Sequence, residues 1–349
     1  MSKMTPRSIL TAVLAVAISV NLVAGQAAAC GTACFPSLAF TPPTVASGSA
    51  PNVNLDSWWC TRSSEYAFMG FSYDITACPS YDEMLRHFKD QRKTYGARYV
   101  RQYSACDTTG HTDNMVKAAY NAGLGLFAMV WWGFDNNDAY KTRLAAWLKT
   151  INTNPLAPYV VRSFAVGSEP LYDGAITYTA LGTLIDQTRA NITSTDTIQV
   201  TTSEMAYGYV KRNGTALLAH EDHIEGHILP FFSKTATTGD QAWADVWADI
   251  DWFRDQTSRA KKIYLSQTGW PSTAEVWAPN SPTADPSLAS EQAYYELLNS
   301  KCEVLKTFPL GGLGWFAHLY ADNTLPGWGV VNSTTKTTPK ISFGARTSC

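Results

Sequence analysis

Charged side chains are scarce in this 349-residue chain, and neither sign dominates. Only 16% of the residues are Asp, Glu, Lys or Arg, and 27 basic residues are matched by 29 acidic ones, so the net charge is −2 at neutral pH. A chain without a basic surplus lacks the electrostatic footprint that attracts nucleic acid or an anionic membrane surface. We therefore expect neither partner.

Motifs for several kinds of chemistry are missing as well. The sequence has no Gly-x-Ser-x-Gly nucleophile elbow, no His-Glu-x-x-His zinc motif and no Cys-x-x-Cys pair. His220, His223 and His227 are close together in the chain, but their spacing falls across a turn and a strand and does not provide the ligand set of a zinc site. We therefore expect no metal and no cofactor.

The first 29 residues have the pattern of a secretory signal peptide. Lys3 and Arg7 precede an uncharged apolar run over 9–24, and mostly small residues follow at 25–29. A membrane anchor is the alternative, but the run is short for a membrane span. We predict that residues 1–29 are removed and that the mature protein is secreted to the extracellular space or the cell wall, with no membrane contact of its own.

Secretion changes how the seven cysteines are interpreted. An oxidising compartment favours disulfides, and because seven is an odd number, one cysteine stays free or pairs between chains. Cys30, beside the cleavage region, is a candidate for the odd one. Three Asn-x-Ser/Thr sequons, at Asn191, Asn213 and Asn332, agree with a secreted glycoprotein.

Composition divides the mature chain into two parts. Residues 30–57 are rich in Pro, Ser and Ala and show no periodicity, which predicts a linker or an extended arm. Residues 58–349 follow as one globular domain, and a chain of this length can bury a large core.

Within that domain, apolar runs of strand length alternate with helical patterns. Repeated strand–helix units predict parallel strands with right-handed crossovers, and eight such units predict an α/β fold of the (β/α)8 TIM barrel type. An open doubly wound sheet is the alternative, but the first predicted strand is not followed by a Gly-rich phosphate turn. The predicted strands are 67–73, 99–103, 124–130, 159–166, 197–203, 223–229, 262–266 and 312–316.

Polar side chains follow several of these strands. A barrel of this type carries its chemistry at the carboxyl ends of its strands, where Glu169, Glu204 and Gln267 follow the fourth, fifth and seventh predicted strands. The chain also has 12 Trp and 17 Tyr residues. This combination suits a sugar, because apolar ring faces stack on aromatic side chains while hydroxyls need donors and acceptors.

Two segments at these strand ends resemble a known family. "VGSEPLYDG" at 166–174 and "LSQTGWPS" at 265–272 are similar to the two signature segments of glycoside hydrolase family 17, and its fungal branch is the nearest match. The resemblance extends over residues 65–333. It implies a secreted or wall-associated β-1,3-glucan hydrolase or glucanosyltransferase, with β-1,3-glucan or a related polysaccharide as its partner and Glu169 as the general acid/base. We expect it to be a monomer.

The sequence departs from that family at the second catalytic position. A retaining glycosidase uses one carboxylic acid to protonate the leaving oxygen and a carboxylate about 5–5.5 Å away to attack the anomeric carbon. Members of the family have Glu where this chain has Gln267. A carboxamide has nearly the shape of a carboxylate but cannot form the ordinary glycosyl ester. We therefore expect a sugar site that keeps its shape, with impaired or altered catalysis.

Three interpretations of Gln267 remain open. In the first, another carboxylate substitutes, with Glu204 as the better candidate and Glu225 as the second, and one set about 6.5–9.5 Å from Glu169 could activate a water and invert the product. In the second, the chain is a non-catalytic glucan-binding protein of the cell wall. In the third, the glutamine is an introduced change or a sequence error, and the parent protein has Glu.

Further positions differ from the family and bear on the substrate. The family usually has Asn where His227 stands, and it often has Glu in the strand-eight segment that contains His318 here. We expect that a changed substrate accounts for these differences together. Aromatic and polar side chains near the strand ends are the candidate substrate-binding residues. They are Tyr73, Trp131, Tyr172, His227, Trp270 and Trp315.

Overall fold

Eight parallel strands close into a barrel, which confirms the predicted (β/α)8 fold. The computed structural model describes residues 33–134, 137–333 and 337–349, so the predicted signal peptide and Cys30 lie outside the described residues. Each strand pairs with its neighbour in chain order, and the eighth returns to the first. The strands are β1 (Ala67–Asp74), β2 (Tyr99–Tyr103), β3 (Gly125–Met129), β4 (Val161–Ser168), β5 (Gln199–Glu204), β6 (Ile224–Ile228), β7 (Ile263–Thr268) and β8 (Gly314–Ala317).

Helices follow the strands and form the outer layer. The segment after β5 is divided into a short α-helix and a 3-10 turn (Thr215–Ala219), because Asn213 takes a left-handed backbone conformation with φ 51°. Two short strands, β9 (Leu319–Ala321) and β10 (Gly329–Val331), pair beyond β8. The helices are α1 (Leu55–Trp58), α2 (Tyr81–Tyr95), α3 (His111–Ala122), α4 (Ala139–Thr153), α5 (Tyr178–Asn191), α6 (Ala206–Lys211), α7 (Trp243–Gln256), α8 (Leu288–Ser300) and α9 (Cys302–Lys306).

Local signals in the sequence account for the ends of helix α2. The Ser80 hydroxyl accepts a hydrogen bond from the Glu83 N–H, and the Glu83 carboxylate accepts one from the Ser80 N–H, which is a complete capping box. At the other end, Gly96 takes the left-handed conformation (φ 71°) that a helix C-terminus favours. These signals fix where the first crossover leaves β1 and enters β2.

The barrel interior is filled by side chains rather than by solvent. Arg101 of β2 and Glu225 of β6 are both buried, and Glu225 accepts a hydrogen bond from the Ser203 hydroxyl at 2.7 Å. This polar layer lies beneath the carboxyl ends of the strands. Apolar and aromatic side chains form a separate interior cluster, made of Met69, Tyr99, Phe127, Tyr264 and Phe316.

The predicted arm packs on the barrel from residue 33 onwards. The disulfide Cys34–Cys60 joins it to the start of the barrel domain. Phe35 is fully buried and its ring stacks on Trp58 at a centroid distance of 5.0 Å. Arg92 of α2 donates hydrogen bonds to three backbone carbonyls of the arm. The described part of the arm therefore contributes to the core.

Disulfides tie several irregular segments to the barrel. Besides the arm, they join the loop after β1 to the loop after β2, and the end of the chain to α9. Across the described ranges, no helix has the length and apolar content needed to cross a membrane. Within the part of the chain that the structure describes, the disulfides are Cys34–Cys60, Cys78–Cys106 and Cys302–Cys349.

Candidate active site

Glu169 lies at the mouth of the barrel, directly after β4. Its backbone is left-handed (φ 58°), a conformation that is uncommon outside glycine and that clusters at functional sites. Its N–H donates to the carbonyl of Ser203 in β5 at 2.8 Å, which holds this backbone in place. Gly167 is needed nearby because a Cβ there would lie 2.7 Å from the ring of Pro170. The Glu169 side chain is 23% exposed, so a fixed backbone presents a carboxyl to the mouth.

His227 of β6 orients the Glu169 carboxyl. Its Nδ1 lies 2.7 Å from Glu169 Oε1, and its Nε2 lies 3.1 Å from Nη2 of Arg101. Because a guanidinium can only donate, Nε2 must accept, and the ring proton is on Nδ1, which donates to Glu169. Burial lowers the pKa of His227, although the neighbouring Glu169 acts in the opposite direction. His227 is therefore a neutral donor that occupies one oxygen of Glu169.

Gln267 lies in β7, opposite His227 in the strand register. With its amide oxygen toward Arg101, it accepts hydrogen bonds from both Nη atoms at 3.0 and 3.2 Å, and its nitrogen donates to His318 Nδ1 at 3.1 Å. The unprotonated Nε2 of His227 lies 3.3 Å from the same oxygen, and both atoms accept from Arg101 Nη2. The reverse orientation would set the amide NH2 against a guanidinium, which is also a donor. Burial lowers the pKa of His318 well below its usual value, so its ring is a neutral acceptor. The amide oxygen thus faces the Arg101 donors, and the amide nitrogen faces an acceptor.

Arg101 connects the two predicted catalytic positions. Its Nη2 contacts both the His227 imidazole and the Gln267 carboxamide, so Glu169 and Gln267 belong to one network at the mouth. Burial lowers the pKa of Arg101 to about 10, while the charges of Glu225 and Glu169 counteract this fall, so the guanidinium stays protonated at neutral pH. The site therefore holds a buried cation beside a neutral amide.

Glu204, the suggested substitute carboxylate, is buried at the end of β5. One of its oxygens accepts the backbone N–H groups of Leu171 at 2.8 Å and Tyr172 at 3.1 Å, and the other accepts the N–H of Met205 at 2.9 Å. Burial and then the nearby Glu169 charge raise the pKa of Glu204 to about 8, against the effect of these three donors. The carboxyl fastens the loop that follows Glu169. Glu225, the second candidate, is buried deeper, beside His223.

Three predicted sugar contacts are packed inside the protein. Tyr73 is 2% exposed, and Trp270 and Trp315 are each 1% exposed. The Tyr73 hydroxyl bonds a histidine of α2, the Trp270 indole N–H donates to a backbone carbonyl before α8, and Trp315 stacks on a tyrosine of α8. Alternate residues of a strand point to opposite sides, and these three face the helices instead of the mouth. They present no ring face to a sugar in this structure.

The other predicted aromatic contacts are accessible. Tyr172 is 39% exposed and its ring lies 6.1 Å from that of Tyr207, which is 57% exposed. The Lys211 ammonium lies over Tyr172 at 5.0 Å. Trp131 is half-buried after β3, with its ring 5.3 Å from the exposed Phe134. Exposed aromatic rings therefore flank the mouth beside β3, β4 and β5.

Sequence reasoning missed several groups of the site. Arg101 and Tyr103 alternate with Tyr99 along β2, so a period-two reading of "YVRQY" could have placed them on the interior face. Trp277 lies in the irregular loop after β7, where no periodicity marks it. Asp173 lies close enough to Glu169 that burial and that charge raise its pKa to about 6.

These groups allow a limited chemistry. Glu169 can donate or accept a proton, while Gln267 can only form hydrogen bonds. Among the residues that the structure describes, no cluster of three or more His, Cys, Asp or Glu side chains is arranged to hold a metal ion. The site is built from one partly exposed carboxyl, a buried guanidinium, neutral hydrogen-bonding groups and exposed rings, a composition suited to a polyhydroxylated ligand.

Comparison with families and curated proteins gives one match. The sequence model described as the BtgE/BtgC glycoside hydrolase domain matches residues 66–309, which include Glu169 and Gln267. No curated protein matches the chain.

Solved structures share the fold. An active-site mutant of the Rhizomucor miehei β-1,3-glucanosyltransferase, in complex with laminaritriose, is 20% identical over 81% of this chain and 99% of its own, with a TM-score of 0.61. An endo-laminarinase from Formosa Hel1_33_131 is 14% identical over 82% of this chain and 84% of its own, with a TM-score of 0.57. A Faecalibacterium prausnitzii β-glucuronidase is 15% identical over 80% of this chain and 47% of its own, with a TM-score of 0.54. At these identities the likeness establishes the barrel alone.

Proposed function

Because the chain belongs to the family described as the BtgE/BtgC glycoside hydrolase domain, we propose that it is a secreted protein that binds cell-wall β-1,3-glucan across the barrel mouth. Glu169 acts as the general acid/base, and Gln267 occupies the position of the nucleophile, as in a glycoside hydrolase family 17 site with that carboxylate replaced. The observation that carries the proposal is the shared network of Glu169, His227, Arg101 and Gln267 at the strand ends.

The same network predicts weak turnover. Retaining cleavage needs a carboxylate to form the glycosyl ester, and a carboxamide provides neither the bond nor the charge. Glu169 can still protonate a leaving oxygen, so the acid half of the reaction is intact. We therefore propose a glucan endo-hydrolase or glucanosyltransferase type of site with impaired catalysis.

A second candidate function is glucan binding without turnover. It is favoured by the fit of the carboxamide, whose oxygen faces the donor Arg101 while its nitrogen faces the acceptor His318. A carboxylate would present a second acceptor to His318. The hydrogen-bonding neighbours of position 267 therefore suit a glutamine, as a protein that binds glucan without cleaving it would require.

Two relatives of the fold supply the choice of ligand. One is described as a β-1,3-glucanosyltransferase bound to laminaritriose and the other as an endo-laminarinase. Accessible tyrosines beside Glu169 offer ring faces on which a β-linked pyranose can stack.

The test is to incubate the mature protein with laminari-oligosaccharides and to measure binding by calorimetry and products by chromatography in separate assays. Micromolar to millimolar binding with little product is expected. Absence of binding to any β-1,3-glucan would contradict the proposed function. Rapid cleavage by the unaltered protein would contradict the proposed impairment of catalysis.

Glu204→Gln tests the substitute-carboxylate interpretation. We expect the fold to lose roughly 1–3 kcal/mol, because an amide NH2 would face backbone N–H donors that now meet a carboxyl oxygen. Thermal unfolding measures this loss, and any residual cleavage should persist. Glu303→Gln, an exposed change of the same kind, should leave both the stability and any residual cleavage unchanged. Complete loss of residual cleavage with unchanged stability would instead identify Glu204 as a reacting group.

His227→Ala and His227→Asn test the orientation of Glu169. The alanine variant leaves Glu169 without its Nδ1 donor and Arg101 with one acceptor fewer, and we expect about tenfold weaker binding of laminari-oligosaccharides. An asparagine amide can replace the Nδ1 donor to Glu169 but does not reach the place of Nε2, so this variant should recover part of the affinity. Calorimetry on both variants is the measurement. Equal affinity of the alanine variant and the unaltered protein would contradict the assigned role.

A further inference from the structure

We propose that Trp277 forms a second sugar-binding platform on the β7–β8 side of the mouth, so that the ligand is an interior stretch of a β-linked polysaccharide held on both sides of Glu169. The inference rests on the proposed function for the cleft it uses. It adds a binding subsite and a mode of binding, because it specifies that chain ends are not required.

Trp277 is exposed and yet fixed in position. It lies in the loop after β7 and is 37% exposed. Its ring packs on Trp328 at 5.7 Å and on Phe232 at 6.2 Å, and Trp328 is 1% exposed. A large ring held from one side and open on the other loses little conformational freedom when a ligand stacks on it.

The ring also lies next to the candidate catalytic network. It is 6.4 Å from the imidazole of His318, with an angle of 35° between the planes. His318 accepts the hydrogen bond of the Gln267 amide. One side chain therefore separates Trp277 from position 267, which is the spacing expected of a neighbouring subsite and not of a remote surface.

The other exposed aromatic platform, formed by Tyr172 and Tyr207, lies across the barrel mouth from Trp277. Tyr172 follows Glu169 after β4, and Tyr207 begins the helix after β5. In a closed barrel of eight strands, β4 and β8 are opposite each other. A chain that stacks on Trp277 and on the Tyr172–Tyr207 pair must cross the mouth between them, over Glu169 and Gln267.

Two platforms joined by one ligand make affinity depend on chain length. A short oligosaccharide covers one platform, whereas a longer one covers both, and the second contact is then intramolecular. Affinity should rise with length until both platforms are covered and then level off. Loss of either ring should remove the rise and leave the affinity for short ligands nearly unchanged.

The experiment is calorimetry with the full mature chain and laminari-oligosaccharides from the disaccharide to the heptasaccharide. Trp277→Ala is expected to lower the affinity for the longest ligand by about tenfold and to flatten the length dependence. Tyr207→Ala should do the same. Trp277→Phe keeps a ring and should retain most of the rise, and Leu310→Ala, an exposed apolar change in the loop that enters β8 from the other end of the barrel, should have no effect.

The outcomes separate this inference from the proposed function. If Trp277→Ala binds every length like the unaltered protein, or weakens all lengths equally, the second platform does not exist while the glucan site stands. If the unaltered protein binds no laminari-oligosaccharide, both fail. A chain reduced and blocked at its end should bind as well as an unmodified one, and strict dependence on a free chain end would overturn the interior mode.

Discussion

Gln267→Glu is expected to raise the rate of β-1,3-glucan cleavage by about 10³-fold or more, because the substitution supplies the nucleophile that the proposed site lacks, beside the proposed acid Glu169. Glu169 needs no rearrangement, since its backbone is held by Ser203 and its carboxyl by His227. The expected gain in rate depends on Glu169 and the new carboxylate together, because the effects of catalytic groups that act as a unit are not additive.

The surroundings can accept a carboxylate at this position. One carboxylate oxygen would accept the two Arg101 hydrogen bonds that the Gln267 amide oxygen accepts now, and the pair would then be charge-assisted. The other would face His318 Nδ1, which now accepts, so His318 would have to carry its proton on Nδ1. A neutral imidazole can exchange tautomers without gaining charge. We therefore expect the variant to fold.

Product formation from laminari-oligosaccharides, followed over time, is the measurement. Gln267→Glu combined with Glu169→Gln should lose the gain, because no group would then protonate the leaving oxygen. Gln256→Glu, an exposed change of the same charge at the end of α7, should leave the rate as it was. An inactive Gln267→Glu variant that still binds the ligand would show that position 267 is not the place of the nucleophile.

Much of the fold was predictable because its signals are local. Parallel barrel strands are covered on both sides and read as apolar runs, so β1 to β8 appear directly in the sequence. The paired strand-end segments also indicated Glu169 and Gln267. Their network was less visible, since it depends on Arg101, a charged residue within an otherwise ordinary strand.

The side of the sheet that a residue faces was harder to predict. Trp270 follows β7, and Trp315 is near the end of the predicted eighth strand, so both were predicted to lie at the mouth, yet both face the helices. The pairing of β7 with β8 shifts register between Leu265 and Thr268, and one such shift reverses which residues point inward. Trp277 was missed for the opposite reason, because an irregular loop carries no periodic pattern that could predict exposure.

Glu65→Gln is expected to produce the largest loss of stability in the barrel. Glu65 is fully buried beneath the strands, where its carboxylate pairs with Arg162 at 2.7 Å and accepts the Tyr99 hydroxyl at 2.7 Å. Arg62 lies 3.6 Å away, and the Tyr264 hydroxyl donates to the second oxygen. Removing one partner of a buried charge network costs about 3–5 kcal/mol, because the remaining charges stay buried without compensation.

The loss should depend on pH in a defined direction. Burial alone would raise the pKa of Glu65, but Arg162, Arg62 and the two tyrosine hydroxyls outweigh it and lower the pKa from 4.5 to about 2. A carboxyl whose pKa is lower in the folded state stabilises the fold above its unfolded value and loses this contribution as the pH falls toward the folded value. The shift corresponds to about 3 kcal/mol.

Denaturant unfolding of both proteins between neutral pH and pH 2 measures this difference. The stability gap between the unaltered protein and Glu65→Gln should be constant down to pH 4.5 and should then shrink toward pH 2, where Glu65 also becomes protonated. Glu303→Gln, an exposed glutamate on α9, should show neither the loss nor the pH dependence. A gap that stays constant across the whole range would mean that the charge of Glu65 does not account for the loss, and that packing around Arg62 and Arg162 does.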